Sequence, residues 1–582
     1  MLTFRGIPVS PGIAIGDPLV LDPRGSRPPH RAIEPARLGE ECDRLSRALD
    51  AARIEAEAAE AEARRRLGPQ YADILGAHAR MIADPAVLRE SRTRIEQQLV
   101  NAESAVAEVL EGYAVRLEAL TQSHFAARAA DVRDILQRIL KQFREEAGSP
   151  SNSPALGSDP HVILSNDLSP SETAGLDTRM VLGFATEAGG RASHTAIVAE
   201  ALEIPAVVGL GRFIEDARRS RRVIIDGDQG LLILDPDAET LARYQLDAEA
   251  RADRIRGLAQ LTTLPSVTLD GCDVELLGNI EFPEEIPACI ERGAGGVGLY
   301  RTEFLFLNND HRPTEDEQFA AYAAVVRSVG GRPVVIRTLD LGADKLPTYE
   351  SARIHEHNPV LGLRSIRVSL RDRELFRAQL RAILRAAALG DVRVLFPLIS
   401  TLEELRQARA ALRSAADELV SEGIECRADL PVGVMIEVPS AAVMADALAR
   451  EVDFFSIGTN DLTQYTLAVD RSNESVADLY NAADPSVVRL IAMVVAAADS
   501  RGIPVTVCGT MGGEPLHALL LVGLGLRSLS MPPHQLPEMK RVIRAIRRED
   551  ARLLAEAALQ EETAAGVVAL LQDGLRRAFP EP

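Results

Sequence analysis

Eight short apolar runs in the second half of the chain restrict its possible folds more than any other feature of the sequence. They recur from about residue 270 onward, and amphipathic stretches of helical spacing separate most of them. The runs are DVELLGNI, GGVGLYR, PVVIRTLD, VRVLFPLI, PVGVMIEV, DFFSIGTND, IPVTVCGT and SLSMPP. Eight nearly continuous apolar strands alternating with helices are typical of a TIM (β/α)8 barrel, and a doubly wound open sheet is the alternative architecture.

The first half of the chain shows a different pattern. Residues 1–34 contain short strand-like runs separated by Pro and Gly, whereas the stretch from Pro35 to Glu146 has few of either and carries apolar residues at helical spacing. Strand-like runs return after the loop GSPSNSPALGSDP. We therefore predict an α/β multidomain protein with these parts: an α/β domain over residues 1–34 and 148–236, an inserted α-helical domain over 35–147, a linker helix over 237–262, and the barrel over 263–582.

Charge and apolar patterning exclude several classes of protein. The formal net charge of −20 argues against a nucleic-acid binder, which usually presents a basic face. No apolar run reaches the length of a membrane span, and the N-terminal segment lacks the pattern of a signal peptide, so we expect no membrane insertion. Five cysteines occur without a CxxC pair, which favours a reduced, cytoplasmic protein.

Polar residues end several of the predicted barrel strands, where the active site of such a barrel lies. They are Asn279, Arg301, Arg337, Asp340, Glu437, Asn460, Asp461 and Cys508. Any one of them could simply cap a loop, and Cys508 could be a buried bystander or a proton donor. The set as a whole indicates a binding site, because Arg471 and Lys345 fall on the same rim as the other arginines.

The residue types at this rim indicate the kind of ligand. Guanidinium groups bind phosphate and carboxylate oxygens in pairs, which suits Arg301, Arg337 and Arg471 to an anionic substrate. Glu437 and Asp461 lie on adjacent strands, and paired carboxylates suit Mg²⁺, which keeps several ligands that are not protein. The rim therefore predicts a small, phosphorylated, multiply anionic substrate bound through a divalent ion.

The segment GGRASHTAIVAE, residues 189–200, places a histidine at the start of a predicted helix. Ser193 is a good N-cap, so His194 occupies the first helical position, with Arg191 nearby. The positive end of the helix favours a phosphoryl group there, and a neutral imidazole nitrogen is a competent nucleophile toward phosphorus. The alternative is that His194 only caps the helix or packs against it. Together with a phosphate-binding barrel, however, this histidine predicts a phosphohistidine relay.

These motifs together resemble one family. GGRASHTAIVAE, GLYRTEFLF, VVIRTLDLGADK, NPVLGLRSIR, MIEVPSA, SIGTNDLTQYTLAVDRSN and VCGTMGGEP occur in order over essentially the whole chain, with SPGIAIG near the start and ARAADVRDI closing the helical insert. They are similar to the enzyme I family of the bacterial sugar phosphotransferase system, the phosphoenolpyruvate–protein phosphotransferases.

The resemblance implies a specific reaction. Phosphoenolpyruvate would bind in the barrel with Mg²⁺ on Glu437 and Asp461. Its phosphate and carboxylate would be held by Arg301, Arg337, Arg471 and Asn460, and Arg364 and Lys345 fall where the family has further site residues. His194 of a swivelling α/β domain would take the phosphoryl group, Cys508 would protonate the enolate to give pyruvate, and a histidine of the phosphocarrier protein HPr would be the acceptor. HPr would dock on the helical domain, and the barrel would form a homodimer.

The sequence departs from the family's pattern at Thr510, Glu514 and Leu363, where the family usually has an acidic residue, an aspartate and an aromatic residue. Thr510 and Glu514 follow Cys508 closely and could alter its environment. The rival functions are a pyruvate phosphate dikinase or phosphoenolpyruvate synthase, a regulatory nitrogen-type phosphotransferase that feeds a signalling carrier, and a non-catalytic scaffold. A dikinase or synthase needs a large nucleotide-binding domain, for which the N-terminal half has no room.

Overall fold

The computed structural model describes residues 1–21, 30–66, 69–118, 123–146, 160–166, 180–189, 204–307, 311–342, 358–471, 473 and 475–579. It divides the chain into two compact units, residues 1–253 and 254–582.

The first unit contains an eight-stranded sheet. Its strands are β1 (Leu2–Arg5), β2 (Ile7–Ser10), β3 (Ile13–Leu21), β4 (His161–Ser165), β5 (Val181–Thr186), β6 (Ala206–Val208), β7 (Val223–Asp226) and β8 (Leu231–Leu234), in the order β1-β8-β7-β3-β4-β5-β6-β2. Strands β3 to β6 pair in parallel, and the outer strands pair antiparallel. The pairing of β3 with β4 joins chain segments on either side of a long helical insertion.

The described residues of that insertion form five helices with their own apolar core. They span Leu38–Arg66, Pro69–Ile82, Pro85–Gln98, Ala102–Glu118 and Ser123–Glu146. Residues at helical spacing, such as Leu45, Ile135 and Ile139, are completely buried, as the amphipathic pattern predicts. Among the described residues that precede the barrel strands, two further helices follow, Ile214–Ala217 and the long helix Ala238–Leu261. The long helix packs Tyr244 against Ile224 and Ile233 of the sheet.

The second unit is a closed parallel barrel. Its strands are β9 (Glu275–Ile280), β10 (Val297–Tyr300), β11 (Val334–Arg337), β12 (Val392–Phe396), β13 (Val432–Ile436), β14 (Phe454–Ile457), β15 (Val505–Val507) and β16 (Ser528–Met531). Each of the eight apolar runs forms one strand, and the parallel pairing of β16 with β9 closes the ring. The prediction of a TIM barrel is thus confirmed, and the alternative of an open doubly wound sheet is excluded.

Helices surround the barrel and bury its outer face. They span Ile286–Glu291, Phe304–Leu307, Glu315–Ser328, Ile366–Arg371, Arg373–Ala387, Leu402–Ser421, Pro439–Val443, Ala445–Leu448, Thr459–Leu467, Pro485–Asp499, Pro515–Gly523, Leu536–Ala545, Arg548–Gln560 and Ala564–Ala578. Their apolar sides and the strands form one large core. Among the described residues, no helix combines the length and apolar character that crossing a membrane would require.

Candidate active site

The carboxyl ends of the barrel strands hold most of the predicted site residues. Arg337 ends β11, and Arg301, Glu437 and Cys508 directly follow β10, β13 and β15. The other four that the structure describes lie in the segments that follow the strands: Arg364, Asn460, Asp461 and Arg471. His194 and Lys345 lie outside the described residues. Because all strands of a parallel barrel end on one face, these eight residues share one mouth.

Arg337 is the buried centre of this mouth. Its Nη2 donates to Glu303 Oε1 at 2.7 Å, and its Nη1 lies 2.9 Å from Asp340 Oδ2. Burial disfavours ionisation of Asp340, but the charges of Arg337 and Arg364 outweigh it and lower the pKa of that carboxyl. At Glu303 burial outweighs the charge of Arg337, and the pKa of that carboxyl is raised.

The remaining arginines also pair with carboxylates. Arg364 Nη2 lies 3.1 Å from Asp340 Oδ1 and 3.4 Å from Asp461 Oδ2. Arg301 Nη1 donates to Glu281 Oε1 at 2.8 Å, and Arg471 Nη2 lies 3.9 Å from Asp461 Oδ1. The two kinds of pair differ in exposure, since the side chains of Arg301 and Arg471 are 37% and 45% exposed and those of Arg337 and Arg364 only 11% and 15%. Exposed pairs exchange partners at little cost, whereas buried pairs are costly to break.

Glu437 is a buried carboxylate in a region of excess negative charge. Burial, followed by the charges of Asp340 and Asp461, raises its pKa well above the usual value. A Cβ on Gly458 would lie 2.7 Å from Glu437 Oε2, so the glycine leaves the space that this carboxylate occupies. Among the described residues of the mouth, five carboxylates outnumber the four arginines: Glu281, Glu303, Asp340, Glu437 and Asp461. This donor set fits a hard divalent cation, whose charge would offset the excess.

Backbone strain is concentrated at the same mouth. Three of the non-glycine residues that the structure describes in the barrel have positive φ, namely Leu398 at 52°, Ser365 at 57° and Ala468 at 53°. Ser365 follows Arg364 directly, and Leu398 donates its backbone N–H to Glu437 Oε1 at 2.6 Å. Ala468 ends the helix that carries Asp461. Such conformations each cost roughly 1–3 kcal/mol and cluster at functional sites, where the surrounding structure holds them.

Cys508 lies beneath the mouth and is 3% exposed. Its Sγ donates to the backbone oxygen of Ile457 at 3.5 Å. Burial raises the pKa of the thiol to about 11, with Ser456, Arg337 and Arg301 acting in the opposite direction. The thiol therefore carries its proton at neutral pH, which suits an acid and not a nucleophile.

Two features of the site escaped the sequence reasoning. The pairing of Glu303 with Arg337 spans 34 residues, although an acidic residue two positions after Arg301 was visible in the sequence. The role of Leu398 depends on its backbone conformation, for which an apolar side chain gives no signal. Asn279, by contrast, lies where its strand-end position indicated and donates to the backbone oxygen of Cys508 at 3.0 Å.

Three family models cover most of the chain. The PEP-utilising enzyme N-terminal model matches residues 5–128, the PEP-utilising enzyme mobile-domain model matches 157–230, and the PEP-utilising enzyme PEP-binding-domain model matches 256–548. The last of these spans all eight barrel strands and every described residue of the mouth.

Curated relatives match over nearly their full length. A phosphoenolpyruvate-protein phosphotransferase of Geobacillus stearothermophilus is 41% identical over 571 residues, which cover 98% of each chain. The protein of the same name from Priestia megaterium is 41% identical over 551 residues and 94% of each chain. That of Bacillus subtilis (strain 168) is 39% identical over 577 residues, which cover 98% of this chain and 100% of the relative. The chain therefore belongs to the phosphoenolpyruvate-protein phosphotransferase family of PEP-utilising enzymes.

Proposed function

We propose that the protein transfers the phosphoryl group of phosphoenolpyruvate to its own His194 and then to a histidine of the phosphocarrier protein HPr. The reaction releases pyruvate and is the first step of sugar uptake by the phosphotransferase system. One observation carries the proposal at the barrel: four arginines, an excess of carboxylates and a protonated thiol lie at one mouth.

The exposure of the arginines suggests how the substrate binds. Arg301 and Arg471, on the exposed rim, exchange their carboxylate partners for oxygens of the phosphate and carboxylate of phosphoenolpyruvate. Arg337 keeps its buried pairs and presents a fixed positive charge below the substrate. Asn460, Arg364 and Lys345 complete the binding set in this proposal.

PEP-utilising enzymes work with a divalent metal ion, and we propose Mg²⁺ for this site. Glu437 and Asp461 would hold it. No three described His, Cys, Asp or Glu side chains converge as a protein-only metal site would need, and Mg²⁺ is usually bound by one or two carboxylates together with substrate phosphate. When bound, the ion neutralises charge on the transferring phosphoryl group.

Cys508 is the proposed proton donor. Loss of the phosphoryl group leaves the enolate of pyruvate, whose methylene carbon must gain a proton. A buried thiol with a pKa raised to about 11 stays protonated until the enolate forms. The Cys508 proton passes to that carbon, and the thiolate regains a proton from water in the next cycle.

His194 must reach both the barrel and the carrier. Phosphoryl transfer requires the imidazole nitrogen within about 3–3.5 Å of phosphorus and in line with the leaving oxygen. We therefore propose that the α/β domain, residues 1–34 and 148–236, swivels on the segments 148–160 and 236–262. In this proposal HPr docks on the helical domain over 35–147, the barrel over 263–582 forms a homodimer, and the enzyme works in the cytoplasm.

The experiment is phosphorylation of the purified protein by phosphate-labelled phosphoenolpyruvate, with and without Mg²⁺, followed by addition of HPr. We expect acid-labile label that requires Mg²⁺, is absent with labelled ATP, and moves to HPr. Label from ATP would favour a dikinase, and label that passes only to a nitrogen-type carrier would favour the regulatory function.

A further inference from the structure

The orientation of the Asn460 side chain is determined by Thr510. Asn460 Oδ1 accepts two hydrogen bonds from this one residue, at 2.9 Å from the backbone N–H and at 2.8 Å from the hydroxyl Oγ1. The two residues are 50 positions apart, since Asn460 lies in the first turn of the helix Thr459–Leu467 and Thr510 begins the turn Thr510–Gly513 after β15.

These hydrogen bonds establish which terminal atom of the Asn460 amide is Oδ1 and which is Nδ2. A backbone N–H can only donate, so the Asn460 atom that it contacts must be the oxygen and not the amide nitrogen. The Thr510 hydroxyl fills the second lone pair of the same oxygen. The two N–H groups of Nδ2 are then the only hydrogen-bonding capacity left on the Asn460 side chain, and Nδ2 donates to no acceptor among the described residues.

The close approach of the two segments depends on the intervening glycine. A Cβ on Gly509 would lie 2.0 Å from Thr459 Oγ1 and 2.7 Å from the Thr459 backbone nitrogen. The absence of a side chain lets Cys508, Gly509 and Thr510 lie directly against the start of the helix that carries Asn460. The segment that carries Cys508, the proposed proton donor, is thereby in contact with the segment that carries Asn460, whose amide is proposed to bind the substrate.

We propose that Thr510 is a positioning residue, whose hydroxyl holds the Asn460 amide so that its N–H groups are presented to the phosphate of phosphoenolpyruvate. This inference rests on the proposed function, because it requires phosphoenolpyruvate at the barrel mouth. Thr510 acts through Asn460 and not on the reacting atoms. Its hydroxyl therefore affects substrate binding in the ground state and in the transition state alike.

The test compares steady-state kinetics of Thr510→Val and Thr510→Ser with the unmodified enzyme, using pyruvate release in the presence of HPr. Val removes only the hydroxyl and keeps the backbone bond, so we expect the KM for phosphoenolpyruvate to rise about three- to tenfold with kcat within about twofold. Ser retains a hydroxyl and should recover most of the loss. Thr506→Val is the matched control, because the Thr506 hydroxyl bonds to Ser528 Oγ at 3.1 Å within the strands and not to Asn460.

A double-mutant cycle with Asn460→Ala isolates the coupling. If Thr510 acts through Asn460, adding Thr510→Val to Asn460→Ala changes KM no further. An unchanged KM in Thr510→Val, a loss confined to kcat, or full additivity with Asn460→Ala would each overturn the inference. Thr510→Ala repeats the test if the Val variant melts at a lower temperature. An unmodified enzyme that releases no pyruvate from phosphoenolpyruvate would instead refute the proposed function itself.

Discussion

The carboxylate of Glu437 accepts a 2.6 Å hydrogen bond from the backbone N–H of Leu398, a buried residue held at a φ of 52°. The strained backbone aims one donor at a carboxylate whose burial and acidic neighbours disfavour its charge. A buried carboxylate whose charge is disfavoured and whose orientation is fixed by a backbone donor meets the requirements for a cation ligand.

Replacing Glu437 by Gln should abolish metal-dependent activity without loss of stability. The amide oxygen still accepts from Leu398, and a neutral side chain removes repulsion from Asp340 and Asp461. We expect a melting temperature without Mg²⁺ equal to or above that of the unmodified protein, no further rise with Mg²⁺, and at least about a hundredfold loss of pyruvate release. Calorimetry with and without Mg²⁺ measures this, with the exposed Glu425→Gln as control. A Glu437→Gln variant that Mg²⁺ still stabilises would argue against this ligand.

Substitutions of Arg337 and Arg301 should both reduce activity but should differ in how much they destabilise the protein. Arg337→Met leaves Glu303 buried without its cation and leaves Asp340 paired with Arg364 alone, and we expect it to lower the free energy of unfolding by about 3–5 kcal/mol. Arg301→Met breaks one half-exposed pair with Glu281 and should cost about 1 kcal/mol or less. Both changes should greatly reduce phosphoenolpyruvate turnover. Denaturant unfolding of the barrel gives the comparison, and equal destabilisation by the two variants would contradict it.

The Cys508 thiol should resist alkylation at pH 8. Only the thiolate reacts, and burial raises the pKa of this group to about 11, so very little thiolate is present at that pH. Cys42 and Cys272 are partly exposed and should react first with iodoacetamide, as peptide mass spectrometry would reveal. Cys508 should also keep its proton across pH 7–9, so pyruvate release should show no thiol titration there. Early labelling of Cys508 would exclude a protonated donor.

A buried histidine in the helical insert should make stability depend on pH. His78 Nδ1 lies 3.2 Å from Asp134 Oδ2, and its Nε2 lies 3.6 Å from Asp131 Oδ1. Burial favours the neutral ring, but the two aspartates outweigh it and raise the pKa of His78 to about 9. Because the folded pKa lies above the unfolded value, the stabilisation is complete below about pH 6.5 and is lost as the pH rises through about 9.

The measurement compares His78→Gln with the unmodified protein between pH 6 and pH 10. The difference in unfolding free energy should be of the order of 3 kcal/mol at low pH and should shrink as the pH rises. His311→Gln is the control, since His311 is exposed on the surface of the barrel unit. A difference that grows with pH would mean that His78 is neutral in the folded protein.

The barrel could be predicted from the sequence because its strands are buried on both sides. Each is a near-continuous apolar run, and the helices between them carry apolar residues on one side. Strand ends then indicated where residues such as Arg337 and Cys508 would lie. The closure of the ring itself rests on the pairing of β16 with β9, which joins segments more than 250 residues apart.

The remaining site geometry depends on contacts that no local pattern records. Arg364 does not directly follow any of the eight apolar runs that predicted the strands, so only the family resemblance pointed to it. The left-handed backbone of Leu398 and the contact of Thr510 with Asn460 arise from packing between segments that lie far apart in the sequence. Sequence spacing predicts which side chains reach the mouth, whereas tertiary packing determines which of them bond to each other.

The most direct test of the account is to locate the phosphoryl group after a single turnover. The protein is mixed with one equivalent of phosphoenolpyruvate and Mg²⁺, quenched at alkaline pH to preserve phosphohistidine, digested and analysed by mass spectrometry. We expect phosphate on the peptide that contains His194, pyruvate in equal amount, and neither product in His194→Ala. Phosphate on another residue, or pyruvate release that persists in His194→Ala, would contradict it.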